Sequence, residues 1–378
     1  MVATVDAVIV GAGLSGLVLA GHLAGSRWRD RRVLIIDDGS RSVSECSWAF
    51  WTQDAGWLRS AVVHSWDHVG IRTSTAQELS IDPFRYQVID GARLLDVVCA
   101  KVTATPGFEF ATGHVEGVDE HRDDATVRLD SGVIRARWVF DSRSALPACA
   151  TPFLQFLGWQ IDTEGDAFDP AVATFMDFQG HPEGRVSFAY VLPTTSRRAL
   201  VEVAEYRWAG NAVDLAETLD RYLRDCLGLG AWTVRRTEAG VLPLRHTPRG
   251  RRRGRIVPIG ARGGMVKAST GFALGRIHRH SAAITTSLVR HGHPHGVGAT
   301  RGRHAWLDDV FLEVLRTHPD IVEPIFARLF ERNPPSAVLR FLDEDTTLAQ
   351  EARLVSTLPP MPFLQVGLSR VRGRQVSD

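Results

Sequence analysis

A short apolar run, Val8-Ile9-Val10, leads straight into Gly11-Ala12-Gly13-Leu14-Ser15-Gly16 and then into an apolar stretch, Leu17–Leu23, with helical spacing. A second apolar run, Val33-Leu34-Ile35-Ile36, ends on Asp37. Strand, glycine turn, helix and strand with a terminal acid form a βαβ unit built to hold a dinucleotide. Gly11 makes the tight turn, Gly13 lets a pyrophosphate approach the backbone, and Gly16 lets helix and strand pack closely. Ser15 lies in the same loop, and Asp37 can accept hydrogen bonds from the adenosine ribose. The fingerprint alone leaves FAD and NAD both open, since Asp38 and Arg41 also stand at the end of the second strand.

A second glycine-rich stretch lies more than two hundred residues later. Ile256-Val257-Pro258-Ile259 stops at Gly260, and Ala261-Arg262-Gly263-Gly264-Met265-Val266-Lys267-Ala268-Ser269-Thr270-Gly271-Phe272 follows. Helical character is expected from about Thr270 to Leu288. A strand, a glycine loop and a helix start place backbone N–H groups where an anion or dinucleotide can meet them. That favours FAD, because glutathione-reductase-like flavoproteins return to their cofactor late in the chain. Ala136–Arg143 reads as a strand that returns to the nucleotide domain and brings Asp141 near the cofactor.

The wording Gly-Gly-Met-Val-x-x-Ser-Thr-Gly-Phe resembles the flavin-binding segment of lycopene cyclases. Further stretches carry the same resemblance. Cys46-Ser47-Trp48-Ala49-Phe50-Trp51 is similar to their Thr-Trp-x-Phe-Trp-like element, and Phe153–Trp159 to their FLGW element. Glu238-Ala239-Gly240-Val241-Leu242-Pro243 looks like the Glu-x-Gly-x-[Leu/Ile]-Pro element that returns to the flavin, and Phe341-Leu342-Asp343 resembles the C-terminal helical region. Arg197–Glu205, after the β-run Phe188–Pro193 and a polar turn at Thr194–Arg197, aligns with the Leu-Ile-Glu-[Asp/Glu]-Thr stretch. Glu202 falls on its first acid, while Val203 and Ala204 depart from the pattern. Glu205 stands three residues on, on the opposite strand face unless a bulge intervenes.

The resemblance implies an α/β fold: a Rossmann-like FAD-binding domain, an inserted β-rich substrate domain and a helical C-terminal region. The expected boundaries are 1–45, 85–145 and 235–290 for the FAD domain, 46–84 and 146–234 for the substrate domain, and 300–365 for the helices. It implies FAD, used in reduced form with NAD(P)H as reductant, held by Gly11, Gly13, Ser15, Gly16, Asp37, Asp141, Gly260, Gly264, Met265, Val266, Ser269, Thr270 and Gly271. It also implies an acid, Glu202 or Glu205, and a pocket of Trp48, Phe50, Trp51 and Tyr190 for a hydrophobic isoprenoid such as lycopene. The chemistry is non-redox: an acid protonates a terminal alkene, a neighbouring alkene closes the ring, and a proton leaves. An acid against an apolar wall keeps its proton near neutral pH, and aromatic faces stabilise a cation by about 0.5–2 kcal/mol each.

Three other readings stay open. An FAD monooxygenase or halogenase usually carries Gly-Asp where this chain has Gly260-Ala261, and Asp-Gly where it has Asp141-Ser142; the halogenase Trp-x-Trp-x-Ile-Pro signature is missing. A cyclase of another terpenoid fits the Val203-Ala204 departure. A non-catalytic isoprenoid-binding flavoprotein is the third.

With 44 Lys+Arg against 43 Asp+Glu, charge gives no reason to expect nucleic acid. Cys46, Cys99, Cys149 and Cys226 show neither CxxC nor zinc spacing, so no metal site is expected and a cytoplasmic setting is the default. No secretory signal is evident. The run Arg249–Arg255 reads as a solvated cationic hairpin or as a contact with anionic lipid, which would suit a bilayer-borne substrate.

Overall fold

The computed structural model describes residues 3–143, 152–180, 184–244, 254–297 and 302–375. Its centre is a sheet of seven strands. The first strand, Ala3–Val10, lies between Val33–Asp37 and Gly132–Asp141, parallel to both. Phe108–Thr112 extends one side, Ile256–Pro258 runs parallel to Gly132–Asp141, and Ala125–Leu129 and Val115–Glu120 complete the other edge. Helices Leu14–Ala24, Gly91–Thr103 and Leu274–His291 cover one face and share an apolar core with it, including Ile9, Leu17, Leu19, Ile35, Leu94 and Ile284. Leu14–Ala24 is apolar on nearly every side because it is sandwiched rather than laid on a surface.

A second seven-stranded sheet is predominantly antiparallel. Its order is Thr233–Pro243, Phe153–Asp162, Arg198–Arg207, Ser187–Thr195, Val172–Asp177, His68–Arg72 and Ala76–Ser80. The strand Thr233–Pro243, expected with the nucleotide domain, therefore belongs to this sheet. Arg85–Asp90, also expected there, instead pairs with Ser47–Thr52 and Val62–Trp66 in a three-stranded sheet between the two. Asp90 ends that strand and caps the following helix through the Arg93 N–H at 3.2 Å.

One face of the second sheet, carrying Phe188, Tyr190, Leu200, Ala204 and Tyr206, packs on the C-terminal helices. The other, carrying Val191, Ala199, Val201 and Val203, packs on Leu219, Tyr222 and Leu223. The C-terminal helices are Gly302–Thr317, Val322–Glu331, Pro335–Leu342, Leu348–Val355 and Pro360–Gln375. A buried ionic cluster ties them to the late glycine segment. The Lys267 ammonium lies 2.7 Å from Asp308 and 3.3 Å from Glu344, which Arg276 also meets at 2.9 Å.

Candidate active site

The first strand, glycine turn and helix have the close geometry that their spacing predicts. Gly11 turns with φ +95°, where an L side chain is strained, and a Cβ there would strike Ser142. A Cβ on Gly16 would collide with the Gly11 carbonyl, so the close helix–strand approach requires glycine. Gly13 is the N-cap of the first helix and carries no side-chain cap, and a Cβ placed on it meets nothing within 4 Å. Space in front of a helix N-terminus is where a pyrophosphate is favoured. Asp37 steadies this loop, accepting from the Ala12 N–H at 2.6 Å and the Gly39 N–H at 2.8 Å.

The late glycine segment returns to the same place. Gly260, at φ +59°, sits so close to Ser15 that a Cβ would lie 2.5 Å from its hydroxyl oxygen. The Ile259 N–H donates to the Asp141 carbonyl at 2.9 Å, joining this segment to the returning strand. The Asp141 side chain is a different matter. It is buried and held by Arg143 at 3.0 Å and Arg262 at 3.4 Å, so its carboxylate serves an ion-pair cluster and is not offered to a ligand. The Met265 side chain packs with Ile259, Leu274 and Ile277 in the core. Val266 is buried, and Ser269 is buried with its carbonyl fixed by the Tyr206 hydroxyl at 2.7 Å. Gly264 turns with positive φ. The helix starts at Leu274 rather than Thr270, because Ala268–Thr270 form a turn closed by the Gly271 N–H on the Lys267 carbonyl at 2.8 Å, and Gly271–Ala273 run on irregularly into the helix.

Thr270–Leu274 is at once the end of this segment and one wall of a cavity of about 190 Å³. Glu202 faces that cavity from the second sheet. Its register explains the site. Glu202 pairs with Tyr190 on one side and Gly158 on the other, and Gly158 pairs in turn with Glu238. Tyr190, Glu202, Gly158 and Glu238 thus form a row across four strands. Because Gly158 has no side chain, nothing stands between the two carboxyl groups; a Cβ there would lie 3.2 Å from a Glu202 oxygen.

Among the described residues Glu202 has no hydrogen-bond or ion-pair partner. Burial, and then the neighbouring Glu238, push its carboxyl well above the usual carboxylate range. Both effects favour its protonated form. Glu238 is raised to about 7, chiefly by burial, against the lowering effect of its bond from the Ser47 N–H at 2.7 Å. Its other oxygen is buried 4.0 Å from Arg236, itself engaged with Asp90 at 2.8 Å. Two carboxyl groups whose environments separate their proton affinities make an acid and a base available in one pocket.

The other expected site residues divide. Trp48 and Tyr190 line the cavity with Glu202. Phe50 does not: it faces the nucleotide-domain core. Trp51 does not reach it either. Its ring packs edge-on to Phe272 at 4.8 Å and Phe175 at 5.9 Å, and its N–H donates to the Leu339 carbonyl at 3.1 Å. Alternation along Ser47–Thr52 sends these aromatics to different cores. Glu205 is on the far side of its strand, buried and paired with Arg207 at 3.0 Å and Arg185 at 3.5 Å. Pairing with both neighbours is continuous from Leu200 to Glu205, so no bulge brings Glu205 round. Tyr86, Phe156 and Phe272 also line the cavity; the sequence marked the segments of the last two without placing either in the pocket. Of the run Arg249–Arg255, residues 249–253 lie outside the described residues, as does Cys149.

The sequence profile described as "Lycopene cyclase protein" matches residues 6–368. The chain belongs to this family. None of the curated proteins compared with it matches its sequence. Among solved structures, this lycopene cyclase family member is similar to a geranylgeranyl bacteriochlorophyll reductase-like protein from Thermoplasma acidophilum. Identity is 12% over 97% of this chain and 99% of that one, with a TM-score of 0.65. It is similar to a probable FAD-dependent monooxygenase of Pseudomonas aeruginosa, pqsL, at 14% identity over 87% and 100% of the two chains, TM-score 0.60. It is also similar to the flavin-dependent monooxygenase PieE, solved with FAD and substrate, at 14% identity over 94% and 71%, TM-score 0.60. These likenesses establish a flavoprotein-type fold, as the glycine spacing anticipated. No helix among the described residues is long and apolar enough to cross a membrane.

Proposed function

We propose that the protein is an FAD-dependent, non-redox cyclase that closes the end group of a linear isoprenoid of the lycopene type. The observation that carries this is Glu202, a carboxylic acid with no hydrogen-bond or ion-pair partner among the described residues, in an apolar pocket whose wall is the end of the second glycine segment. The residues fit FAD. The open space at Gly13 and the contact of Gly260 with Ser15 suit the dinucleotide, and Thr270–Leu274 leads from there to the acid. Bound in reduced form, with NAD(P)H as reductant, FAD would supply negative charge beside the pocket.

In this reading Glu202 gives its proton to the terminal alkene of the substrate, leaving a tertiary cation. The neighbouring alkene attacks that cation and forms the ring bond. Glu238, ionised in part near pH 7, takes the departing proton, so the atoms of substrate and product are the same. Tyr86, Tyr190, Trp48 and Phe156 exclude water that would otherwise trap the cation, and their ring faces favour positive charge. The insolubility of such a substrate makes a membrane surface its natural source, and contact with one is part of the proposal.

The test is Glu202→Gln in protein that still carries FAD. Cyclisation should fall by at least a thousandfold, a loss of roughly 4 kcal/mol of transition-state stabilisation. Near-normal turnover would remove Glu202 as the acid. Oxygen-dependent product would instead favour a monooxygenase on this fold, and turnover confined to a shorter polyprenyl chain would favour another terpenoid.

A further inference from the structure

A second cavity, of about 340 Å³, lies inside the C-terminal helical region. That is within the range of small-molecule pockets, roughly 300–1,000 Å³. Its walls are almost wholly apolar: Val310, Phe311, Phe326, Leu329 and Leu342 from three successive helices are among them, with Leu358 from the turn before the last helix. Of the few polar groups that line it, Lys267 is engaged with Asp308 at 2.7 Å and Ser356 donates to the Arg353 carbonyl at 2.7 Å, while the His304 Nε2 is buried 3.7 Å from Glu351. A headgroup would find little to bind here, whereas a bare hydrocarbon chain would lose nothing on entry.

Two further observations define the orientation. Thr270 lines both this cavity and the acid pocket, and a narrow cleft of about 20 Å³ beside it touches Lys267, Phe272 and Leu342. The acid pocket and the helical cavity are therefore neighbours across the Lys267–Phe272 turn. The lining also includes Trp306 and Leu364, which are 37% and 56% exposed. Large apolar side chains kept in water at the rim of an apolar hole mark an entrance for apolar material.

We infer that this cavity binds the trailing hydrocarbon of the substrate, a linear isoprenoid chain, which enters past Trp306 and Leu364 while its leading end group lies at Glu202. The identity of the chain rests on the cyclase reading; the cavity, its apolar lining and its mouth do not. The acid pocket, at about 190 Å³, is too small for a long polyene, so a chain with its end group there must continue elsewhere. Passage at Thr270 and Phe272 fixes how deep the end group can go.

The experiment uses the FAD-loaded protein and a linear polyprenyl hydrocarbon carrying a photoactivatable diazirine at its tail end. After irradiation the labelled peptides are mapped by mass spectrometry. The expected result is label on Val310–Leu315 and Ile325–Phe330, abolished by excess untagged linear polyene. Leu329→Trp, which fills the cavity, should reduce that label at least tenfold while flavin absorbance is retained. Should that variant fail to fold, mapping and competition in the unaltered protein decide alone. Label confined to the rim at Trp306 and Leu364, or label in the cavity that untagged polyene does not displace, would overturn the inference. Labelling without cyclisation would count against the proposed reaction but not against the cavity; cyclisation of a long polyene with no label in the helices would count against the cavity alone.

Discussion

Glu238→Gln removes a negative charge two strands from Glu202 while keeping the shape of the side chain and its acceptor for the Ser47 N–H. Neighbouring strands lie about 4.8 Å apart, so the two backbones are about 9.6 Å apart across Gly158. At an effective dielectric constant of about 20, a unit charge at that range is worth about 1.7 kcal/mol, or about 1.3 pH units. In the unaltered protein the charge on Glu238, whose pKa is raised to about 7, helps Glu202 keep its proton. In the variant that help is gone. The alkaline limb of the kcat profile, which reports loss of the acid in the substrate complex, should move down by about one pH unit. It should not fall to an ordinary carboxylate value, because burial is the larger cause and persists. The assay is the initial rate of ring closure with reduced enzyme at saturating substrate across the pH range. The height of the plateau reports what Glu238 contributes as base, whereas the position of the limb reports its charge. A limb that stays in place, or moves to higher pH, would refute the coupling of the two glutamates.

The same pair makes stability pH-dependent. Glu238 has a raised folded-state pKa, so its contribution is fully present below about 4.5 and is lost as pH rises through about 7. The loss amounts to roughly 3 kcal/mol. Denaturation midpoints should therefore fall across that window, and Glu238→Gln should flatten the fall. Gly158→Ala puts a methyl group 3.2 Å from the Glu202 carboxyl; ring closure should drop roughly tenfold with FAD retained, and an unaffected rate would count against the open row. Gly13→Val fills space that the protein leaves empty, so flavin absorbance should disappear while the denaturation midpoint without flavin stays within about 0.5 kcal/mol of the original. Lys267→Met leaves Asp308 buried without its cation, and unfolding by denaturant should show a loss of about 3 kcal/mol.

Local geometry explains what could be read from the chain. Gly11, Gly13, Gly16 and Asp37 act within one βαβ unit, and their spacing is their mechanism. Glu202 was visible as a charge interrupting an apolar strand, and the strand period already put Glu205 on its other face. The partnership with Glu238 was not visible, because it depends on the register of three strands and on Gly158 between them. Trp48, Phe50 and Trp51 show the limit of composition. Adjacent aromatics looked like one wall, yet pleating sends Phe50 to one core and Trp51 to the other. The domain boundaries shifted for a related reason: Thr233–Pro243 has the same apolar character whichever sheet receives it, and only pairing with Phe153–Asp162 decides. The C-terminal cavity is assembled from helices whose mutual packing no local pattern specifies.

The most direct test of the account is the mass of the product formed anaerobically by reduced enzyme in heavy water. Proton donation from Glu202 to the alkene, followed by loss of a substrate proton, adds one deuterium for each ring closed. In ordinary water the same reaction leaves the mass unchanged and alters only retention. Those paired results are the ones this account predicts. Addition of two hydrogens in ordinary water would indicate a reductase, and a product retaining no deuterium from heavy water would contradict proton-initiated closure.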